Sequence, residues 1–239
     1  MIERHLRKLR ARDAISPEEE AAIRASVARI EEVPDDQVIV PAGKEMNVCT
    51  ILLDGIACRR KDLSSGERQI TELHVPGDYM DLHSFTLKRL DHDVVALSPC
   101  ALAFVPHAAM ADITERFPHL TRVYWFSTNL DAAIHREWVL SLGRRQALSA
   151  MAHLFCELYI RLELVGLARD GAYDLPLTQT ELSECLGISA VHTNRALQEL
   201  RDTGTVEFRS SRVQIADWDG LQSIAEFDPA YLYLERRVR

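Results

Sequence analysis

The chain has 239 residues, 47% of them hydrophobic, which is enough to bury one large core or two smaller ones. Its formal net charge is −8, from 28 Lys and Arg against 36 Asp and Glu, so bulk positive charge cannot drive binding to a polyanion. The sequence has no apolar run long enough to span a membrane and no apolar core of a secretion signal, and its five cysteines form no C-x-x-C pair. These features predict a cytoplasmic protein.

The first third of the chain predicts a small β structure with flanking helices. Residues 16–31 predict a helix, with Ser16 as its cap and Pro17 in its first turn. From residue 33 to residue 106, short hydrophobic runs alternate with glycine-containing corners, a texture typical of an antiparallel roll. The candidate strands are residues 38–40, 50–53, 56–58, 69–75, 94–97 and 101–105. We expect residues 1–117 to form a β-roll with a sensor role.

A long helix is predicted to begin at Pro118 and to run to about Leu142. Its apolar side chains follow alternating three- and four-residue spacing, which favours a coiled-coil contact with a second copy of the chain. The predicted dimerisation residues are Val123, Ser127, Leu130, Ile134 and Trp138. An ordinary helix packed on its own domain is the alternative. We expect residues 118–143 to form the dimerisation helix, with a hinge at residues 143–145.

Residues 144–239 predict a winged helix-turn-helix. Thr178 and Glu181 form a capping-box pattern at the start of a short helix, Gly187 supplies a tight turn, and Ser189 caps a second helix. Residues 206–215 then read as two short strands around a serine pair, which is the pattern of a wing. The residues predicted to contact DNA are Thr178, Ser189, Val191, His192, Asn194, Arg195, Gln198, Arg201, Arg209 and Arg212.

This order of elements resembles the Crp/Fnr family of bacterial transcription regulators, and the resemblance is most specific from residue 177 to residue 201. It implies an α+β fold with an N-terminal antiparallel β-roll, a long central dimerisation helix and a C-terminal winged helix-turn-helix. It also implies a homodimer on a palindromic promoter site that contacts RNA polymerase. Ser189 and Arg195 match the family's recognition helix, whereas Ala190 and Val191 stand where an Arg-Glu pair is common. Arg195 is therefore the expected guanine contact, and Val191 is expected to touch a thymine methyl group.

The sensor region departs from the family's nucleotide-binding members. Residues 77–94 lack the Gly-Glu and Arg-Ser pairs that hold the ribose and the cyclic phosphate, and acidic residues such as Asp91 and Asp93 lie there instead. Lys88 and Arg89 are the only cations in that stretch. No cysteine precedes Cys49, so the iron–sulfur cluster of the oxygen-sensing members is not expected. We expect a regulator that is constitutively active or gated by an unknown signal other than cyclic AMP, with no cofactor and no metal.

Several alternatives remain open at this point. The acidic and histidine residues between 78 and 93 have metal- or haem-binding chemistry, although their spacing matches no tight ligand motif. A metal-dependent, cupin-like enzyme, an atypical nucleotide-gated regulator and a protein-binding scaffold are the rival functions. The chain shows no nucleophile–base pairing and no complete ligand triad, so we do not expect an enzyme. Cys185 is either a redox-responsive thiol or, as we favour, a small buried residue.

Overall fold

The computed structural model describes residues 2–239. Two helices come first, α1 (Glu3–Arg10) and α2 (Pro17–Ala25). A capping box starts α2: Ser16 Oγ accepts from the amide of Glu19, and the Glu19 carboxylate accepts from the amide of Ser16. The predicted helix over residues 16–31 is too long. It ends at Ala25, because the next residues pair with a strand far along the chain.

Two antiparallel sheets form the predicted β-roll. The seven strands are β1 (Arg29–Val33), β2 (Val38–Val40), β3 (Val48–Asp54), β4 (Ala57–Asp62), β5 (Arg68–His74), β6 (Asp93–Ala96) and β7 (Cys100–Pro106). One sheet has the order β1-β7-β3 and the other β2-β6-β4-β5, and a short helix α3 (Ser84–Leu87) lies between β5 and β6. Side chains from both sheets, including Val40, Leu52 and Val94, share one buried core. Gly55 turns β3 into β4 at φ 89°, where a Cβ would lie 2.4 Å from the carbonyl oxygen of Pro99.

Three helices connect the roll to the C-terminal part of the chain. They are α4 (His107–Arg116), α5 (Pro118–Arg144) and α6 (Ala147–Val165). Gly143 is helical, and the chain bends at Arg145 and Gln146, whose backbones are extended. The break overlaps the hinge predicted at residues 143–145 at Arg145 and extends to Gln146. Among residues 2–239, no helix combines the length and the hydropathy that a membrane crossing requires.

The C-terminal part contains the predicted helix-turn-helix and wing. Its elements are β8 (Ala168–Arg169), β9 (Ala172–Asp174), α7 (Gln179–Leu186), α8 (Ala190–Asp202), β10 (Val206–Arg209), β11 (Arg212–Ile215), α9 (Trp218–Ala225) and a 3₁₀ turn (Pro229–Leu232). The sheet has the order β10-β11-β9-β8, so the wing is backed by a small hairpin that the sequence did not reveal. Strands of two and three residues are too short to show an alternating pattern.

The predicted dimerisation residues on α5 face the interior of their own chain. Val123, Leu130, Ile134 and Trp138 are all buried, and the indole of Trp138 donates to Glu157 of α6 at 3.2 Å. Ser127 is half-buried and donates to the carbonyl oxygen of Val123. Within one chain the regular spacing is accounted for by packing on α6 and the roll, which corresponds to the alternative of an ordinary helix packed on its own domain. The exposed α5 residues are Pro118, Arg122, Trp125, Asn129, Ala132, Arg136, Val139, Leu140, Leu142, Gly143 and Arg144.

Candidate nucleic-acid interface

The helix-turn-helix is held in shape by its caps and its turn. Thr178 Oγ1 accepts from the amide of Glu181 at 3.2 Å, and the Glu181 carboxylate accepts from the amide of Thr178 at 2.6 Å. Gly187 then adopts φ 63°, with Leu142 and Gln69 so near that a Cβ would lie 3.1–3.2 Å from their side chains. A residue without a Cβ adopts this left-handed backbone without strain and leaves room for both neighbours, which accounts for the predicted turn glycine.

The second helix, α8, buries one stripe and exposes the opposite face. Ser189 caps it by accepting from the amide of His192, and its Oγ also lies 2.9 Å from His192 Nδ1. Thr193, Ala196 and Leu200 are buried against the rest of the C-terminal part. The predicted contact residues of this helix are all exposed: Val191, His192, Asn194, Arg195, Gln198 and Arg201. This arrangement leaves a free helix face of the kind that enters a DNA major groove.

The exposed arginines of this part are mostly paired with carboxylates. Arg195 Nε donates to Glu199 at 2.9 Å, and Arg212 Nη1 donates to Asp174 at 2.9 Å. Arg201 lies 3.8 Å from Glu207. Arg209 forms no ion pair within residues 2–239 and lies at the wing, whose tip turns through Ser210 and Ser211 with φ of 50° and 57°. Because four arginines stand among five carboxylates from residue 178 to residue 212, charge alone gives this face little attraction for DNA.

A second candidate site is a cavity of about 50 Å³ between the roll, α1, α5 and α6. Buried ion pairs line it. Asp78 accepts from Lys8 and from Arg161, the latter at 2.9 Å, and Arg59 donates to both Glu72 and Asp131 at 2.8 and 2.7 Å. Although burial opposes it, the two cations hold the pKa of Asp78 well below its usual range.

The cavity offers no spare charge for an anionic ligand. Every Lys and Arg that the structure places in its lining, namely Lys8, Arg59 and Arg161, is paired with a carboxylate. Burial lowers the pKa of His5 and of His83 to about 4, so both imidazoles are neutral at pH 7. A cyclic phosphate in this cavity would therefore have to break an existing ion pair to find a counter-charge.

The acidic residues of segment 78–93 are bonded to different partners, and the histidines His83 and His92 lie together, with His92 3.0 Å from Asp91. Asp81 is buried and accepts from the amide and hydroxyl of Thr50. Asp91 pairs with Lys61, and Asp93 accepts from the amide of Ala42. In the part of the chain that the structure describes, no group of three or more His, Cys, Asp or Glu is arranged to hold a metal ion.

Lys88 and Arg89, the two cations of residues 77–94, lie outside the cavity lining. Lys88 Nζ donates to the carbonyl oxygen of Phe85, and Arg89 lies 3.9 Å from Glu45. Cys185 is fully enclosed by α7 and its neighbours, and burial raises the pKa of its thiol well above the usual range. This is the setting of a structural cysteine, since reactive thiols are exposed and readily ionised.

Comparisons with known proteins find similar domains for the N-terminal and for the C-terminal part of the chain. Residues 30–117 match the cyclic nucleotide-binding domain, and residues 149–224 match the Crp-like helix-turn-helix domain. The transcriptional activator protein FnrL of Cereibacter sphaeroides is 25% identical over 74% of this chain and 71% of its own length. An anaerobic regulatory protein of Haemophilus influenzae is 23% identical over 82% and 76%. The structure of FixK2 from Bradyrhizobium japonicum superposes with a TM-score of 0.76, at 22% identity, over 83% of this chain and 97% of that one.

A roll of the nucleotide-binding type, joined by one long helix to an exposed winged helix-turn-helix, defines a DNA-binding transcription regulator. The relatives carry the names of transcription regulators, so the cupin-like enzyme is set aside. With both domain types present in this order, the chain belongs to the Crp/Fnr family.

Proposed function

We propose that the chain acts as a homodimer that binds a palindromic promoter site and contacts RNA polymerase there. The observation that carries the proposal is the free face of α8, which is capped by Ser189 and anchored by a buried stripe while its contact side chains stay exposed. Two such helices, related by a two-fold axis, read two half-sites about one helical turn of DNA apart. A dimer doubles the number of contacts with DNA. The additional contacts are needed because the net negative charge of the chain weakens its attraction to phosphates.

The contact residues divide by chemistry. Arg195 is proposed to read guanine through two hydrogen bonds to O6 and N7, and Val191, whose residue surface is 76% exposed, to contact a thymine methyl group. Asn194 and His192 reach a base or a phosphate. The remaining predicted contacts act on the DNA backbone, which sets the register without reading sequence. They are Thr178, Ser189, Gln198, Arg201, Arg209 and Arg212.

The dimer contact is proposed for the exposed face of α5 instead of the buried one. Arg122, Trp125, Asn129, Ala132, Arg136 and Val139 follow each other at three- and four-residue spacing and are all exposed. Trp125 is 68% exposed and Val139 62% exposed, which is unusual for large apolar side chains on a helix at the centre of a protein. This face lies on nearly the opposite side of the helix, about 170° around from the face predicted from the sequence.

The sensor is proposed to work without cyclic AMP, through an unknown signal or with none. Support comes from the cavity of 50 Å³, where Lys8, Arg59 and Arg161 are all paired with carboxylates and the pKa values of His5 and His83 are lowered to about 4. DNA binding that is unchanged by millimolar cyclic AMP or cyclic GMP is the expected result. A saturable nucleotide response would favour the nucleotide-gated alternative.

Selection of genomic DNA fragments by the purified chain tests the proposed function, with Arg195→Ala as the matched variant. We expect a palindromic motif for the native chain. The variant should lose about 5- to 150-fold in affinity for that motif and lose its preference at one base pair per half-site. A motif that appears only after addition of cell extract would identify a gated regulator. If no motif appears with or without extract, the proposed function fails. If Arg195→Ala weakens binding equally on random DNA, only the assignment of Arg195 as a base contact fails.

A further inference from the structure

Glu199 lies one helical turn after Arg195 on α8, and their contact has a specific geometry. The Glu199 carboxylate accepts the Nε–H of Arg195 at 2.9 Å, and this is the sole hydrogen bond that the Arg195 side chain makes within residues 2–239. Both groups are solvent-accessible, with side chains 77% and 47% exposed. An exposed ion pair of this kind adds little to the stability of the fold. We therefore consider its effect on the orientation of the Arg195 guanidinium group.

A guanidinium group has two edges that can each donate a pair of parallel hydrogen bonds, one formed by Nε and Nη2 and one by Nη1 and Nη2. Reading guanine at O6 and N7 requires one complete edge. Because Glu199 occupies Nε, the side-on edge is taken and the end-on edge of Nη1 and Nη2 remains complete. The carboxylate therefore selects which edge Arg195 presents before DNA arrives, and an ordered side chain loses less entropy on binding.

Glu199 also carries a charge that phosphates repel. Four arginines stand among five carboxylates from residue 178 to residue 212, and each exposed carboxylate weakens sequence-independent binding, which depends on neutralising phosphates. Orientation of Arg195 and repulsion of phosphates both favour the correct sequence over random DNA.

We infer that Glu199 is a positioning and specificity-determining residue, which holds Arg195 with its end-on edge toward guanine. This inference rests on the proposed function of Arg195. It assigns Glu199 no base contact of its own.

The chain offers matched variants for a test. Glu199→Ala removes the acceptor, whereas Glu199→Gln keeps an oxygen that can accept from Nε and removes the charge. Asp202→Ala removes an equal charge from the same helix, where Asp202 accepts from Gln198 and does not touch Arg195. Affinities are measured on the selected operator, on the operator with 7-deazaguanine at the Arg195 position, and on a random duplex, since 7-deazaguanine lacks the N7 acceptor.

The positioning role predicts that Glu199→Ala lowers the ratio of operator to random affinity about tenfold and abolishes most of the 7-deazaguanine penalty. Glu199→Gln and Asp202→Ala should keep that penalty while binding random DNA more tightly. Adding Glu199→Ala to Arg195→Ala should tighten binding to the operator and to random DNA equally, without changing base preference further. Thermal unfolding should be similar in all variants, because the pair is exposed.

Two results would overturn the inference. One is a full 7-deazaguanine penalty in Glu199→Ala. The other is a changed base preference at a second position when Glu199→Ala is added to Arg195→Ala, which would make Glu199 a direct reader of cytosine. Failure of the proposed function looks different, because the native chain itself would then show no 7-deazaguanine penalty and Arg195→Ala would retain the motif.

Discussion

Asp81 is a buried carboxyl group, and within residues 2–239 it forms no ion pair. Its two oxygens accept from the amide and the hydroxyl of Thr50, and burial raises its pKa to about 7. The sequence marked this residue as part of a metal-binding candidate, because an Asp among histidines has that chemistry. Only the fold shows that β3 passes beside it and satisfies both oxygens.

A raised pKa in the folded state means that folding favours the protonated carboxyl, so Asp81 contributes less to stability as the pH rises from about 4 toward 7. Asp81→Asn keeps the acceptor for the Thr50 amide and removes the ionisation. We expect the variant to gain stability relative to the native chain as pH rises from 5 to 8, measured by urea unfolding. Parallel pH profiles for the two proteins would contradict the assignment.

At the scale of elements, α5 shows what the sequence can and cannot predict. Its start at Pro118, its length and its heptad spacing were all readable, as were the caps at Thr178 and Ser189 and the turn at Gly187. The sequence did not show which of the two periodic sets of α5 side chains faces the protein interior. Two stripes share the same periodicity, and only the tertiary contacts of Ile134 and its neighbours show which one is buried.

A charged substitution on each face of α5 tests whether the exposed face forms the dimer contact and the buried face forms the core. Val139→Glu puts a carboxylate on the exposed face, where it should leave the fold intact and abolish the dimer and operator binding together. Ile134→Glu puts one in the core and should unfold the chain. Sedimentation and thermal unfolding of both variants check this. A Val139→Glu chain with an unchanged sedimentation mass would place the dimer contact elsewhere.

At the scale of the whole molecule, buried ion pairs fasten the C-terminal part to the roll. Arg161 of α6 donates to the carbonyl oxygen of Leu73, to Asp78 and to Glu157. Gln69 of β5 donates to the backbone of α7 at 2.6 Å. One hydrophobic core runs from the roll through α5 and α6 into the helix-turn-helix. The long-range partners of Asp78 could not be predicted, because ion pairing between residues 83 apart leaves no local pattern.

Removal of Arg161 should therefore be costly. Arg161→Met leaves two buried carboxylates without that partner, and we expect a loss of about 3–5 kcal/mol in the free energy of unfolding. The exposed pair of Arg116 and Asp112 is the control, and Arg116→Ala should cost less than about 1 kcal/mol. The free energy of unfolding is measured with urea. Similar losses in the two variants would show that the buried Arg161 contacts stabilise the fold no more than an exposed ion pair does.

The Asp78–Arg161 pair has a consequence for how a cell would use this regulator. Several buried bonds hold the C-terminal part in one orientation, and a ligand that binds two orientations equally cannot shift the protein between them. The number of protein molecules per cell is then the quantity that can change promoter output. If protomers must pair before they occupy an operator, promoter output at low abundance scales with the square of the protein concentration. Synthesis and degradation of the chain would then set its output, with a response steeper than proportional.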